Sequence, residues 1–371
     1  MKHKLAIIGS VGVPANYGGF ETLAEYLSLH LGREFQTTIY CSSKAYKNQK
    51  VKSYNQCKLV YIPLEANGMQ SIPYDVLSLM HAFFSSNVLL VLGVAGSFVF
   101  PLIRLFSRKW IIVHIDGLEH RRAKWSPPAK AYLKWAEALA VRFAHVVVAD
   151  NTGIQEYVKD TYGKAAVVIP YGGDHLQHEA LSEAVKAQYQ LPDSYAFKVC
   201  RIEPENNIHL VLEAFANSSL NLVLVGNWKN SAYGQKLWEA YASLPNLYLL
   251  DPIYNQGLLN QLRSACSLYV HGHSAGGTNP SLVEAMYLGV PILAFDVNYN
   301  RYTTNNLAGY FSDSHSLKQL LEQDFAAAAV GKKAEALKSY ARQHYRWELI
   351  AAAYKKLIVF NKPVEQNVLT L

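Results

Sequence analysis

The residues with the clearest chemical potential lie in one short segment, 267–295, which reads SLYVHGHSAGGTNPSLVEAMYLGVPILAF. Its apolar start, 268–270, predicts a buried strand. Asn279 is a favourable N-cap, and Pro280 suits the first helical position, where its missing N–H costs nothing. Gly289 is typical of the residue that ends a helix. The segment therefore predicts a strand, a loop, a helix and a second strand.

The glycines before this helix give the loop its chemical interest. A helix N-terminus presents unpaired N–H groups and a partial positive charge, and both attract anions. Gly276 and Gly277 have no side chains, so a phosphate could approach the backbone closely. Glu284, about one turn into the helix, could accept hydrogen bonds from ribose hydroxyls, as the acidic residue of dinucleotide folds does. This pattern predicts a nucleotide-sugar site, and an ordinary βαβ turn with a solvated Glu284 is the alternative.

The segment resembles the donor-site signature of glycosyltransferase family 4, whose members have the GT-B fold. In that family a glycine-rich loop carries a Glu, and Glu-Ala-Met follows it after seven residues. Glu284, Ala285 and Met286 match the second half, but Gly276 stands where the first Glu is expected. That Glu usually contacts the donor sugar. The string HGHSxGGTNPSLxEAM is similar to a subgroup of rhamnosyltransferases, which explains the missing Glu.

The resemblance implies an α/β fold of the GT-B kind, with two facing Rossmann-like domains, an interdomain cleft and a C-terminal helix that crosses back to the first domain. Residues 1–174 are expected to form the acceptor-side domain and residues 175–345 the nucleotide-sugar donor domain. Residues 346–371 are expected to form the returning helix. Within this alternation we also predict a buried helix over 97–106 and a polar loop over 296–301.

A strand over 110–115 ends at Asp116, where a doubly wound sheet would place its ligand. The carboxylate of Asp116 could take the proton of an acceptor hydroxyl. His114 is the second candidate, although its apolar neighbours also fit a buried core histidine. Related transferases carry a His or an Asp at this strand end. We therefore predict Asp116 and His114 as catalytic residues, together with Arg201.

Arg201 follows a predicted strand in the second half of the chain. The family places an Arg here, and a Lys five residues later, on the donor diphosphate. Arg201 matches, whereas Asn206 stands where the Lys is usual. A surface ion pair with Glu203 or Glu205 is the alternative role of Arg201. The resemblance implies this donor-binding set: Gly18, Gly19, Arg201, Asn206, Ile253, His273, Gly276, Gly277, Thr278, Asn279, Ser281, Leu282 and Glu284.

Composition narrows the class of protein and of partner. The 371 residues carry a net charge of +7, which favours anionic partners such as sugar nucleotides, lipid diphosphates and membrane surfaces. We find no nucleic-acid recognition motif. Four cysteines without CxxC spacing indicate reduced thiols in a cytoplasmic protein, and we expect no metal site. The stretch 88–106 is apolar but short for a membrane span, so we predict a strand and a buried helix there.

A basic patch, His120 to Arg122 with Lys124, precedes Tyr132 and Trp135. It suits a peripheral contact with the inner face of the cell membrane, and a solvated helix face is the alternative.

The resemblance implies a retaining glycosyltransferase without cofactor. The expected reaction transfers L-rhamnose from dTDP-rhamnose to a polyprenyl-diphosphate-linked glycan, in the synthesis of bacterial capsule or O-antigen. Another hexosyl donor, a sugar-nucleotide epimerase and a two-lobed sugar-binding protein remain as alternatives.

Overall fold

The protein consists of two compact units in the structure, a computed structural model. Unit 1 contains residues 1–171 and 347–371, and unit 2 contains residues 172–346. Each is a parallel-sheet α/β unit. The structure describes residues 3–15, 18–47, 49–122, 125–322 and 328–360.

Unit 1 is built on an eight-stranded sheet with the order β3-β4-β2-β1-β5-β6-β7-β8. Its neighbouring strands are parallel except for β3 with β4. The strands are β1 (Lys4–Ile8), β2 (Gln36–Ser42), β3 (Ser53–Tyr54), β4 (Cys57–Ile62), β5 (Val88–Leu92), β6 (Trp110–Ile115), β7 (Val146–Ala149) and β8 (Val167–Val168). The helices between them are α1 (Gly19–Leu31), α2 (Ser71–Ser85), α3 (Phe100–Phe106), α4 (Pro127–Phe143) and α5 (Thr152–Tyr162). Strands β5 and β6 are buried along their whole length, as continuous apolar runs in a covered parallel sheet should be.

Unit 2 contains a six-stranded, wholly parallel sheet with the order β11-β10-β9-β12-β13-β14. Its strands are β9 (Ala196–Val199), β10 (Leu222–Val225), β11 (Leu247–Leu250), β12 (Leu268–His271), β13 (Ile292–Phe295) and β14 (Gly309–Phe311). Its helices are α6 (Glu183–Gln188), α7 (Ile208–Ala216), α8 (Ala232–Tyr241), α9 (Gln256–Ser264), α10 (Pro280–Leu288), α11 (Asn298–Thr303), α12 (Ser314–Leu321) and α13 (Ala328–His344). The chain moves outward from β9 in one direction and from β12 in the other. Ligands of such sheets bind beyond the carboxyl ends of the two strands at this switch point.

The last described helix, α14 (Trp347–Phe360), belongs to unit 1. The ring of Trp347 stacks on Tyr26 of α1 with centroids 4.4 Å apart. The indole of Trp110 donates a hydrogen bond to the carbonyl of Leu357 at 3.1 Å. These contacts and the apolar side chains of α14 make the helix part of the core of unit 1.

Three elements differ from the sequence prediction. The predicted polar loop 296–301 is wrong, because α11 begins at Asn298 and the amide of Asn300 caps carbonyl groups of neighbouring chain segments. Strand β14 and helix α6 were not predicted, since three and six residues give too little periodicity.

The apolar stretch 88–106 forms β5, a 3-10 turn over Ser97–Val99 and α3. The predicted strand and helix are therefore present. The helix is buried only in part, since Phe100 and Ile103 are buried whereas Leu102, Leu105 and Phe106 are exposed. Within the described residues, no helix is long and apolar enough to cross a membrane. All four cysteines are buried and unpaired.

Candidate functional site

The glycine loop of unit 2 leads into α10 with the capping that its sequence predicts. The side chain of Asn279 accepts hydrogen bonds from the N–H of Ser281 at 3.1 Å and from its hydroxyl at 2.8 Å. Pro280 occupies the first turn, and Gly289 ends the helix in the left-handed conformation. Gly276 has a φ of 125°, and a Cβ built on it would meet no atom within 4 Å. The loop therefore leaves open space beside the start of α10.

Two of the predicted donor-binding residues in this segment are buried. Thr278 is 3% exposed, and Leu282 is fully buried in the apolar cluster of unit 2. Their buried side chains pack under the start of α10. Gly276, Gly277, Asn279 and Ser281 are partly exposed at the same end of the helix.

Glu284 is held by two residues that the sequence did not reveal. The guanidinium of Arg263, at the end of α9, lies 2.7 Å from one carboxylate oxygen, and the His175 ring lies 3.4 Å from the other. Burial alone would raise the pKa of Glu284, but the charge of Arg263 and the hydrogen bond from His175 outweigh it and lower the pKa. Glu284 is thus a fixed carboxylate, with 14% of its side chain exposed.

Neither Arg263 nor His175 carries a recognisable signal in the sequence. Arg263 stands in the last turn of α9, where a basic residue usually serves only the helix dipole. Its side chain is 2% exposed, and this burial is a tertiary property.

The turn that follows β9 lies against the glycine loop. The N–H and the hydroxyl of Ser274 each donate to the carbonyl of Glu205 at 2.9 Å. The amide of Asn207 donates to the carbonyl of Gly272 at 3.0 Å. The structure therefore brings the predicted residues of the turn to the same edge of the sheet as the loop, the switch point between β9 and β12.

Arg201 and Asn206 have different environments in that turn. Arg201 has 46% of its side chain exposed, and its Nε lies 3.7 Å from the carboxylate of Glu203. The ion pair proposed as an alternative is thus long and open to solvent, which leaves the guanidinium accessible. Asn206 is 3% exposed, and its amide donates to the carbonyl of Arg201 at 2.7 Å. Asn206 therefore shapes the turn.

His273 and Ile253 complete the predicted set in unit 2. The ring of His273 stacks on that of His271, with centroids 4.3 Å apart. The amide of Asn300 donates to the carbonyl of His273 at 2.9 Å and so fixes this part of the loop. Ile253 is partly buried against the apolar cluster of unit 2, and the next residue, Tyr254, is exposed.

A second buried pair lies beneath the loop and was not predicted. Lys198 of β9 and His271 of β12 are 1% and 0% exposed. Burial lowers the pKa of Lys198. Burial and then the charge of Lys198 hold the pKa of His271 well below its usual range.

In unit 1, His114 is a core residue. It is fully buried, and its Nδ1 lies 2.6 Å from the hydroxyl of Tyr354. The rings of Phe20 and Tyr171 lie 5.4 and 6.0 Å from its ring. Burial lowers the pKa of His114 to about 3, so the ring is neutral at physiological pH. Its proton cannot be the source of general acid catalysis near pH 7.

Asp116 lies just beyond the carboxyl end of β6 and is partly exposed. Asp150 follows the register partner of its neighbour on β7, because Ile115 pairs with Ala149. Burial and then these two carboxylates raise the pKa of Tyr171 well above its usual value. Of the two predicted catalytic residues of unit 1, Asp116 is partly exposed and His114 is fully buried.

The glycines at the start of α1 make room for side chains of the same unit. A Cβ on Gly18 would lie 1.9 Å from a carboxylate oxygen of Glu21, and one on Gly19 would lie 3.2 Å from the ring of Tyr171. The other Glu21 oxygen accepts a hydrogen bond from the N–H of Val11 at 2.7 Å. Glycine is therefore needed at these two positions partly because side chains of the same unit occupy the space that a Cβ would fill.

Carboxylates pair with two of the residues in the basic patch after β6. His120 lies 3.0 Å from Glu137, and Arg122 lies 3.0 Å from Glu119. Trp135 is exposed, while Lys124 lies outside the described residues.

Two family profiles match the chain. Residues 1–174 match "Domain of unknown function (DUF1972)", and residues 182–344 match "Glycosyl transferases group 1". The second match lies entirely within unit 2. The chain thus carries a group 1 glycosyltransferase domain behind a DUF1972 domain, and neither match decides the rhamnosyltransferase subgroup. No curated protein matches the chain.

Solved structures of similar fold cover nearly the whole chain. A sucrose-phosphate synthase from Thermosynechococcus elongatus has a TM-score of 0.78 at 17% identity, covering 96% of this chain and 98% of its own. HepE from Anabaena, in complex with UDP and glucose, has a TM-score of 0.69 at 14% identity, with 95% and 98% covered. A glycosyltransferase from Rickettsia africae has a TM-score of 0.73 at 12% identity, with 97% and 100% covered. These likenesses show the fold, and they confirm the predicted α/β fold class of the GT-B kind.

Proposed function

We propose that this protein is a retaining glycosyltransferase that transfers L-rhamnose from dTDP-rhamnose to a polyprenyl-diphosphate-linked glycan in bacterial surface polysaccharide synthesis. The group 1 domain supports sugar transfer as the class of reaction. The observation that carries the proposal is the fixed carboxylate of Glu284, one turn behind an open, N-capped helix start. That pair of features suits a ribose and a diphosphate, the two parts that every sugar nucleotide shares.

In this proposal the donor diphosphate lies at the N-terminus of α10. Arg201, with its accessible guanidinium, neutralises the charge that develops when the sugar leaves. The Glu284 oxygen that is not paired with Arg263, which lies 3.4 Å from His175, accepts a hydrogen bond from the ribose. The departing diphosphate takes the acceptor proton on the same face of the sugar, so transfer retains configuration and requires no metal ion.

Asp116 is the proposed acceptor-side group of unit 1, where its carboxylate would bind and orient the attacking hydroxyl. His114 acts there as a neutral positioning residue, since its ring is buried and bonded to Tyr354. We place the enzyme in the cytoplasm, at the inner face of the cell membrane, where such an acceptor is made.

The first test is thermal stabilisation by dTDP-rhamnose, UDP-glucose, UDP-GlcNAc, GDP-mannose and the free nucleotides. Ligands that bind the folded state raise the melting temperature by mass action. We expect a shift with dTDP compounds that is lost in Glu284→Gln and Arg201→Ala. Glu239→Gln on the exposed face of α8 is the matched control and should keep the shift. If no nucleotide stabilises the protein, the donor site is not where we place it.

A UDP-sugar is the second candidate donor. Three HepE structures of similar fold were determined with UDP, with UDP and glucose, or with UDP-glucose. Stabilisation by UDP compounds alone would support a sugar transferase whose donor is a UDP-sugar and not dTDP-rhamnose. Turnover of sugar nucleotide without an acceptor would favour an epimerase, and binding of free sugar without nucleotide would favour a sugar-binding protein.

A further inference from the structure

Lys198 is a buried amine for which the described residues provide no ion-pair partner. It lies in the centre of β9 with 1% of its surface exposed, and Ala196 and Cys200 on the same face belong to an apolar cluster. Across the described residues, its Nζ has no hydrogen-bond partner. An unpaired charge in such a place opposes folding, so proteins seldom keep one without a functional reason.

The amine lies directly beneath the glycine loop. A Cβ on Gly272 would come 2.9 Å from Nζ of Lys198 and 2.4 Å from the carbonyl oxygen of Asn206. Gly272 therefore provides the space into which the end of Lys198 reaches. This point is also where the carboxyl ends of β9 and β12 meet, at the switch in strand order.

The titratable groups near this amine do not neutralise it. Cys200 is on the same strand, and burial raises its pKa, so it stays a thiol at neutral pH. His271 on β12 is neutral for the reason given above, and neither of its ring nitrogens is hydrogen-bonded within the described part of the chain. Glu205, in the turn beside Asn206, likewise has no hydrogen-bond partner for its carboxylate oxygens among the described residues.

We propose that Lys198 is a cation of the diphosphate-binding site, acting on the anion from beneath Gly272. The inference rests on the proposed function in one respect, namely that the anion is the diphosphate of a sugar nucleotide. Asn206, whose amide is used within the turn, supplies no charge there, and Lys198 supplies it from the neighbouring strand. An ammonium group as buried as Lys198 is weakly screened by solvent, so its interaction with a nearby phosphate is strong.

Two results are expected together in Lys198→Met. Affinity for UDP and dTDP should fall about tenfold or more, since a charge–charge interaction at short range is lost. Affinity for uridine and thymidine should not change. The melting temperature without ligand should rise, because a buried amine that has no hydrogen-bond partner among the described residues is replaced by an apolar side chain of similar length. A purely structural lysine would give neither the selective loss nor the gain in stability.

The experiment is calorimetric titration of the full chain with UDP, dTDP, the nucleosides and inorganic pyrophosphate. Lys186→Met on α6 is the matched control, since that amine already pairs with Asp193 at the surface. Titrations at several pH values between 7 and 10, each in two buffers of different ionisation enthalpy, also count the protons taken up on binding. We expect proton uptake in the wild type that disappears in Lys198→Met. If the variant does not fold, proton uptake by the wild type still tests whether a buried amine gains a proton on binding.

The outcomes separate this inference from the proposed function. If pyrophosphate binds and depends on Lys198 but no nucleotide binds, the anion site stands and the sugar-nucleotide function fails. If nucleotides bind equally well to wild type and Lys198→Met, the function stands and the inference about Lys198 is overturned. Absence of pyrophosphate and diphosphate binding to the wild type would overturn both.

Discussion

Removal of Arg263 tests whether Glu284 is held as a carboxylate. Arg263→Met keeps the length of the side chain but leaves the charge of Glu284 without its main partner. Breaking a buried ion pair on one side costs about 3–5 kcal/mol. Since Glu284 is 14% exposed and keeps His175 at 3.4 Å, we expect the lower end, about 3 kcal/mol.

The pH dependence gives this prediction its sign. In the wild type the pKa of Glu284 is lowered, so its contribution to stability is present above the unfolded value and is lost as pH falls through the folded one. In Arg263→Met, only His175 still opposes burial, so the pKa of Glu284 rises above its wild-type value. The variant is then least stable, relative to wild type, at neutral pH, and the deficit shrinks as pH falls from 7 to 5 because a protonated carboxyl needs no cation.

Urea unfolding at pH 7 and pH 5 measures both effects. The double variant Arg263→Met/Glu284→Gln removes the charge as well and should recover most of the loss at pH 7. A loss below about 0.5 kcal/mol at pH 7 in Arg263→Met, the scale of ordinary surface changes, would refute the buried ion pair. A deficit that is the same at both pH values would refute the assignment of the loss to an ionised Glu284.

Three further predictions concern other parts of the chain. Tyr354→Phe removes the partner of the buried His114 ring and should cost about 1–3 kcal/mol in urea unfolding, with an unchanged circular dichroism spectrum; an unchanged midpoint would contradict it. Glu137 is 2% exposed, and hydrogen bonds from His120 and two tyrosines overcome burial and lower its pKa to about 2 from 4.5. The lowered pKa of Glu137 contributes about 3 kcal/mol to the free energy of unfolding above pH 4.5, and this contribution is lost as the pH falls towards 2. Glu137→Gln should therefore make the unfolding free energy depend less on pH below 4.5. A dependence as steep as in wild type would contradict the prediction. Asn279→Ala removes the N-cap of α10, so it should lower the free energy of unfolding by about 1 kcal/mol and weaken nucleotide binding. Unchanged nucleotide binding would show that the cap does not contribute to the site.

The sequence predicted well the features that depend on neighbours along the chain. Asn279, Pro280 and Gly289 define the ends of α10 by local chemistry, and the structure shows the cap and the left-handed glycine that they indicate. The apolar runs of β5 and β6 predicted strands for a similar reason, and the structure shows both strands buried. Register and capping follow from spacing of a few residues, so they can be read without knowledge of the fold.

The residues that were missed depend on contacts between distant segments. Arg263 is 21 positions from Glu284, and nothing in the α9 sequence indicates that its guanidinium points inward. The amide of Asn300 donates hydrogen bonds to the carbonyls of His273 and Phe295, and these contacts stabilise a helix where the sequence predicted a loop. A weak signal did exist for Lys198, because it interrupts the apolar strand AFKVC. A lysine at the centre of such a strand must be buried in a parallel sheet covered on both faces.

The two buried cations of unit 2 differ in what they imply. Arg263 is balanced within the chain by Glu284, so its role is complete before any ligand binds, and it fixes a carboxylate in one place. Lys198 has no such partner in the part of the chain that the structure describes, and burial instead lowers its pKa. A folded protein can tolerate that amine in its neutral form, but an arriving anion would restore its charge and gain the interaction energy. The satisfied pair positions the ribose end of the proposed donor, and the unsatisfied amine responds to its diphosphate, which is why removal of each should have opposite effects on the stability of the free protein.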